Sequence, residues 1–139
     1  GKCFKILYAI VYFYNDYGPR DLATGQYASL IALFTEKMKN GEPLTVVAPG
    51  SQKRNFTHID DIIDGLVMVG EHGYGDEFGI GSPEAYSILE IAKLFGGKIQ
   101  MIPERAGNRM SAEVITKKTE ALGWSPKKSL VDYIKKQLK

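Results

Sequence analysis

From Ile6 to Phe13 the chain reads Ile-Leu-Tyr-Ala-Ile-Val-Tyr-Phe, without a single charged or amide side chain. The run is rich in β-branched and aromatic residues and stops at Tyr14-Asn15-Asp16-Tyr17-Gly18-Pro19-Arg20. A strand solvated on one face would alternate apolar with polar residues. This one is apolar on both faces, the pattern of a central strand covered on both sides in a parallel sheet. Such a strand needs parallel neighbours, and the residues before it supply none. Its unpaired N–H and C=O groups would template another chain. The expectation is a homo-oligomer or strand-swapped assembly through residues 6–13.

Tyr27, Leu30, Ile31, Phe34 and Met38 then recur at helical spacing, and the pattern is stopped by Asn40-Gly41 and Pro43. Short strands are predicted at Leu44–Val47, Phe56–Ile59, Glu77–Ile80 and Lys98–Met101. Asp60 is placed to cap a helix carrying Ile62, Ile63, Leu66, Val67 and Val69. Ser87-Ile88-Leu89-Glu90 reads as a capping box for a helix closed by Gly96-Gly97. Thr116 is expected to cap a helix ending at Leu122-Gly123-Trp124. Ser129 with Asp132 opens a last helix through Leu138, and Trp124 and Tyr133 read as core contacts there. Short strands alternating with helices predict an α/β fold.

Composition narrows the function classes. The 18 basic and 16 acidic side chains leave a formal charge of +2, too small an excess to indicate a nucleic-acid partner. The lysines of the last quarter read as a solvated face and helix C-terminal charges. No apolar run is long enough to span a bilayer, so no membrane partner is expected. The single cysteine, Cys3, rules out an internal disulfide, fits a reducing cytoplasm and reads as a small buried hydrophobe. No metal site is expected: Asp60 and Asp61 read as a helix cap and a loop-pinning partner, His58 as structural and His72 as exposed.

Two polar clusters carry candidate chemistry. Asn15 ends the first strand, and Gly50-Ser51-Gln52-Lys53-Arg54-Asn55-Phe56-Thr57-His58-Ile59-Asp60-Asp61 follows a second apolar run. Arg54, with Arg105 in Pro103-Glu104-Arg105-Ala106-Gly107-Asn108, offers the planar fork that suits a diphosphate. Local partners are the alternative. Arg54 could pair with Asp60 or Asp61, Arg105 with Glu104, and Asn15 could be a satisfied turn residue. Arg20 reads as tying its loop down. Equally informative, no glycine-rich dinucleotide loop follows a strand, and no Tyr-x-x-x-Lys pair occurs.

Taken in order, Tyr-Asn-x-Tyr-Gly-Pro-Arg, Gly-Ser-Gln-x-Arg-x-Phe-x-His-Ile-Asp-Asp-Ile, Phe-x-Ile-Gly, Tyr-Ser-Ile-x-Glu-Ile-Ala, Pro-Glu-Arg-x-Gly-Asn and Leu-Gly-Trp-x-Pro form a collinear set. The set resembles the C-terminal half of the extended short-chain dehydrogenase/reductases. Its nearest branch is similar to the NAD-dependent nucleotide-sugar epimerases and dehydratases typified by UDP-glucose 4-epimerase. The resemblance implies one lobe over residues 1–139: a final Rossmann-type strand and motif loop at 1–20, then a small α/β substrate lobe at 21–139, with the N-terminal Rossmann core absent. It further implies substrate contacts at Asn15, at Arg54 and Arg105 on the diphosphate, and at Asn108 on the ribose. Thr45 and Val47 would flank the base, Ser29 and Leu30 would lie near the glycosyl end, and Tyr14 would lie near the nicotinamide.

In such enzymes a tyrosinate removes a proton from the sugar as hydride passes to NAD, and the lysine lowers the tyrosine's pKa. Neither group of that pair is found here. The expectation is therefore a nucleotide-sugar-holding portion that is inactive without a Rossmann half, with NAD in the intact enzyme and none bound to this chain alone. A non-catalytic nucleotide or nucleotide-sugar binding module, or a scaffold fragment, is the alternative. Departures from the family pattern cluster at the base and strand positions: Tyr12-Phe13, Asp16, Ala48-Pro49 and Gly79.

Overall fold

The computed structural model describes residues 6–26, 28–104, 106 and 115–139. Its elements run β1 (Ala9–Phe13), β2 (Asp16–Tyr17), α1 (Leu30–Lys39), β3 (Leu44–Val47), β4 (Lys53–Asn55), β5 (Thr57–His58), α2 (Ile59–His72), β6 (Gly75–Ile80), β7 (Ala85–Ser87), α3 (Ile88–Phe95), β8 (Ile99–Ile102), α4 (Lys117–Ala121) and α5 (Leu130–Gln137). The α/β expectation is met. Among the described residues β1–β6, β2–β5 and β3–β8 pair in parallel, and β4–β7 is antiparallel.

Two hydrophobic clusters organise these pairs. In the first, α1, α3 and α5 close over β3: Phe34 meets Phe95 edge-on at 5.6 Å between ring centres, and Ile31, Leu44, Val46 and Ile134 fill in around them. The α1 helix begins where Ser29 accepts from the Ala32 amide at 3.2 Å and ends at Asn40, with Lys37 and Lys39 in its last turn. In the second cluster α2 lies on the β1–β6 pair, with Ile62, Ile80 and Trp124 buried. Gly65 makes this approach close, since a Cβ there would stand 2.7 Å from Ile80 Cδ1. The α4 helix is fastened to the same pair by Thr119, whose hydroxyl donates to the Gly79 carbonyl at 2.6 Å.

The capping box at α3 forms as the sequence predicts. Ser87 Oγ accepts from the Glu90 amide at 3.0 Å, and Glu90 Oε2 accepts from the Ser87 amide at 2.6 Å. Gly96, left-handed at φ 77°, closes the helix. The amide of Ser87 bonds the ionised carboxylate and holds the Glu90 pKa below its ordinary value. A depressed folded pKa gives stability that is present above the ordinary value and lost as pH falls through the folded one. The urea midpoint of Glu90→Ala is accordingly expected to trail the parent at about pH 7, and the gap to narrow as pH falls through the lowered folded pKa of Glu90. A gap that persists in acid would mean the carboxylate does not carry the cap.

Several expectations are corrected. The first strand spans Ala9–Phe13 and pairs along one edge only, with β6; Tyr12 and Phe13 keep 42% and 41% of their surface exposed. It is not the doubly covered central strand that its composition suggests, because no described element lies along its other edge. The strand predicted at Phe56–Ile59 is the two-residue β5, Thr57–His58, with Ile59 already the first residue of α2, and β4 precedes it at Lys53–Asn55. Asp60 does not cap that helix. His58 does: its Nδ1 accepts from the Asp60 amide at 3.0 Å, a role that its position one residue before the helix allows. Thr116 makes no side-chain cap bond to the α4 backbone, its hydroxyl donating instead to Glu120 Oε1 at 2.9 Å. The sequence reading predicts none of β2, β4 and β7.

Candidate functional site

At the end of β1 the chain must turn sharply into β2, and Asn15 takes a left-handed conformation, φ 52°, which asparagine tolerates better than most residues. Its carbonyl accepts from the Thr57 amide at 3.2 Å, so the turn is fastened to the start of β5. Along β3 the alternation of a strand does the sorting: Leu44 and Val46 go into the core, while Thr45 and Val47 face the other way and remain half-buried. After β3 the backbone turns at Gly50, φ 79°, where a Cβ would stand 2.8 Å from Val46 Cγ1. The chain then enters β4, where Arg54 stands opposite Tyr86 of β7.

These elements wall one cavity of about 420 Å³, in the range of small-molecule sites. Asn15, Ser29, Leu30, Thr45, Val47 and Arg54 all line it. Six positions singled out from the sequence therefore meet in one place. Asp16, Gln52, Phe56 and Ile88 line it as well and were not singled out. The signal for Gln52 lay in its spacing: two residues before Arg54, an extended chain brings both side chains to one face. Tyr14 does not join them. It lines a separate cavity of about 660 Å³ with Tyr12, Asp76, Glu77, Gly79 and Lys118. Arg105 and Asn108 lie outside the described residues, as does Cys3.

The hydrogen bonds define what each group has left to offer. Ser29 donates its hydroxyl proton to Asp21 Oδ2 while capping α1, so it faces the cavity as an acceptor only. Arg54 Nη1 donates to the Lys53 carbonyl at 2.8 Å. Asp61 is occupied elsewhere: its Oδ2 accepts from the amides of Lys127 and Lys128 at 3.1 and 2.9 Å, the loop-pinning role read from the sequence. Trp124 Nε1 donates to the Asp61 carbonyl at 2.8 Å, bearing out its place in the core.

The tyrosines with shifted pKa values stand off the wall of this cavity. Burial and a hydrogen bond to Glu84 push the Tyr86 phenol up to about 12. Burial also raises Tyr17 and Tyr133, and a hydrogen bond to Asp76 raises Tyr12. A tyrosinate base needs the opposite shift. Among the described residues no group of three or more histidine, cysteine or acidic side chains converges as metal ligands, and no helix is long and apolar enough to cross a membrane. The arrangement is suited to holding a ligand.

A sequence profile described as the NAD dependent epimerase/dehydratase family matches residues 2–81, more than half of the chain. The chain belongs to that family. Among epimerase/dehydratase relatives, UDP-glucuronic acid decarboxylase 4 of Arabidopsis thaliana is 32% identical over 124 residues, covering 84% of this chain and 28% of that protein. The UDP-glucose 4-epimerase of Thermotoga maritima, solved with UDP-glucose, superposes with a TM-score of 0.86 at 27% identity over 99% of this chain and 49% of that one. The UDP-glucuronic acid 4-epimerase of Bacillus cereus, solved with UDP-glucuronic acid and NAD, gives 0.79 at 28% identity over 94% and 43%. This epimerase/dehydratase chain thus spans between about a quarter and a half of the lengths of these relatives.

Proposed function

We propose that this chain is the C-terminal, substrate-holding lobe of an NAD-dependent nucleotide-sugar epimerase or dehydratase. In this reading Arg54 and Arg105 grip the diphosphate of a UDP- or dTDP-sugar. Asn15 and the α1 start at Ser29-Leu30 meet the sugar, Thr45 and Val47 flank the base, and Asn108 reaches the ribose. The observation that carries it is the meeting of Asn15, Ser29, Leu30, Thr45, Val47 and Arg54 around one cavity. Asp16 on the same wall repels a diphosphate and so favours its lying toward Arg54. Hydride chemistry would come from NAD in a Rossmann half that also brings the Tyr-x-x-x-Lys pair, with Tyr14 beside the nicotinamide. The open edge of β1 is where a strand of that half, or of a second copy, would pair.

Titration calorimetry with UDP-glucose, UDP-N-acetylglucosamine and dTDP-glucose tests the reading. Saturable binding of at least one is expected, with turnover only after a Rossmann half is supplied. Sedimentation of the chain with and without that half reports which partner takes the β1 edge. Failure of all three nucleotide sugars to bind, with and without the half, would remove the proposal.

A further inference from the structure

Among the described residues on the cavity wall, Asn15 alone is left-handed. Such a backbone persists only where its surroundings hold it. The Asn15 carboxamide has no hydrogen-bond partner among the described residues, so the backbone sets its direction. The hold is a closed circuit. Phe13, two residues before Asn15, pairs with Ile80 of β6. Two residues beyond Ile80 the Ser82 amide donates to Thr57 Oγ1 at 2.9 Å, and the Thr57 amide donates to the Asn15 carbonyl at 3.2 Å. Asn55 reinforces the same loop, its Nδ2 donating to the Ser82 carbonyl at 2.8 Å and to the Glu84 carbonyl at 3.4 Å. Thr57 is 1% exposed, serves both links and is not itself on the cavity wall. In this ring only the Thr57 hydroxyl belongs to a side chain.

We infer that Thr57 is a positioning residue for this cavity: its buried hydroxyl fastens the loop after β6 and so keeps Asn15 in the turn from which it meets the sugar. The inference rests on the nucleotide-sugar reading, which places Asn15 at the sugar and Arg54 at the diphosphate. Without the hydroxyl the Ser82 amide loses its acceptor at a partly buried site. The loop then parts from β5, the ring opens, and the Asn15 turn relaxes toward commoner backbone conformations. Arg54 is not in the ring. It stands on β4, whose register is set by the facing strand β7, with Lys53 opposite Ser87 and Arg54 opposite Tyr86. A fault at Thr57 therefore reaches the sugar and spares the diphosphate. A residue that only supported the fold would weaken both together.

The test titrates UDP and UDP-glucose calorimetrically into the 139-residue chain, Thr57→Val, Thr57→Ser, Asn15→Ala and the Thr57→Val, Asn15→Ala double variant, with thermal melting of each. Thr57→Val keeps the amide and the side-chain volume and loses only the hydroxyl. It is expected to weaken UDP-glucose by about fivefold to tenfold, and UDP by less than about twofold. Thr57→Ser should restore the parent's affinity for UDP-glucose. In the Asn15→Ala background Thr57→Val should add little, because both act through one contact. Should Thr57→Val not fold, Asn55→Ala, which frees the Ser82 carbonyl of the same loop, takes its place. Equal weakening of UDP and UDP-glucose, additive losses in the double variant, or no recovery in Thr57→Ser overturns this inference and leaves the diphosphate reading standing. Undiminished UDP-glucose affinity in Thr57→Val or in Asn15→Ala does the same. Failure of the parent to bind either probe overturns the underlying reading itself.

Discussion

Asp61→Ala is expected to lower the melting temperature by roughly 10 °C, the largest stability loss we anticipate from one polar substitution. Asp61 is 2% exposed, and its carboxylate receives the amides of Lys127 and Lys128 on the stretch between Trp124 and α5. Hydrogen bonds to a charged group contribute about 1.5–3 kcal/mol each, and removing the acceptor strands both donors. A loss of about 3–5 kcal/mol, at about 2–4 °C per kcal/mol for a chain of this size, gives the quoted shift. Asp61→Asn keeps one acceptor oxygen without the charge, and about half the loss is expected from it. Differential scanning fluorimetry of the two variants checks the order. Parent-like melting of Asp61→Ala would show that the carboxylate does not hold the stretch down.

Arg54→Ala carries the largest expected effect on binding, a weakening of UDP-glucose by between about tenfold and a hundredfold in calorimetric titration. The guanidinium meets a diphosphate with paired, charge-assisted donors, which a lysine cannot reproduce. Arg54→Lys should therefore recover only part of the affinity, and its residual binding should fall more steeply with salt. Arg54 is half-buried on a short strand near the surface, so both variants should melt close to the parent. Equal affinity for UDP-glucose across all three proteins would dissociate the cavity from the diphosphate.

Much of the fold was readable where local rules act alone. The β3 limits at Leu44–Val47, the Ser87–Glu90 capping box and the apolar stripe of α1 all follow from spacing within a few residues. What could not be read depends on partners distant in the chain. The β2, β4 and β7 strands are two or three residues long, and the β4 residues Lys53-Arg54-Asn55 are all polar, so only the facing strand defines them. The covering of β1 is likewise decided by what lies beside it. His58 escaped notice as a helix cap because imidazole is an uncommon one and an aspartate stood two residues on. Of the cavity, Asn15 and Arg54 were legible from chemistry, and Thr45, Val47, Ser29 and Leu30 through family resemblance. Gln52 has no charge or nucleophile to advertise it, and its place two residues before Arg54 is the one signal the sequence offers for it.

The two hydrophobic clusters are threaded through one another along the chain. Val11, Ile62, Ile80 and Trp124 belong to one, and Tyr17, Phe34, Leu44, Phe95 and Ile134 to the other. A break at any point between Tyr17 and Trp124 therefore leaves each cluster with members on both sides. Neither can be cloned, swapped or lost as an uninterrupted segment, so recombination can pass this stretch on only as an indivisible block.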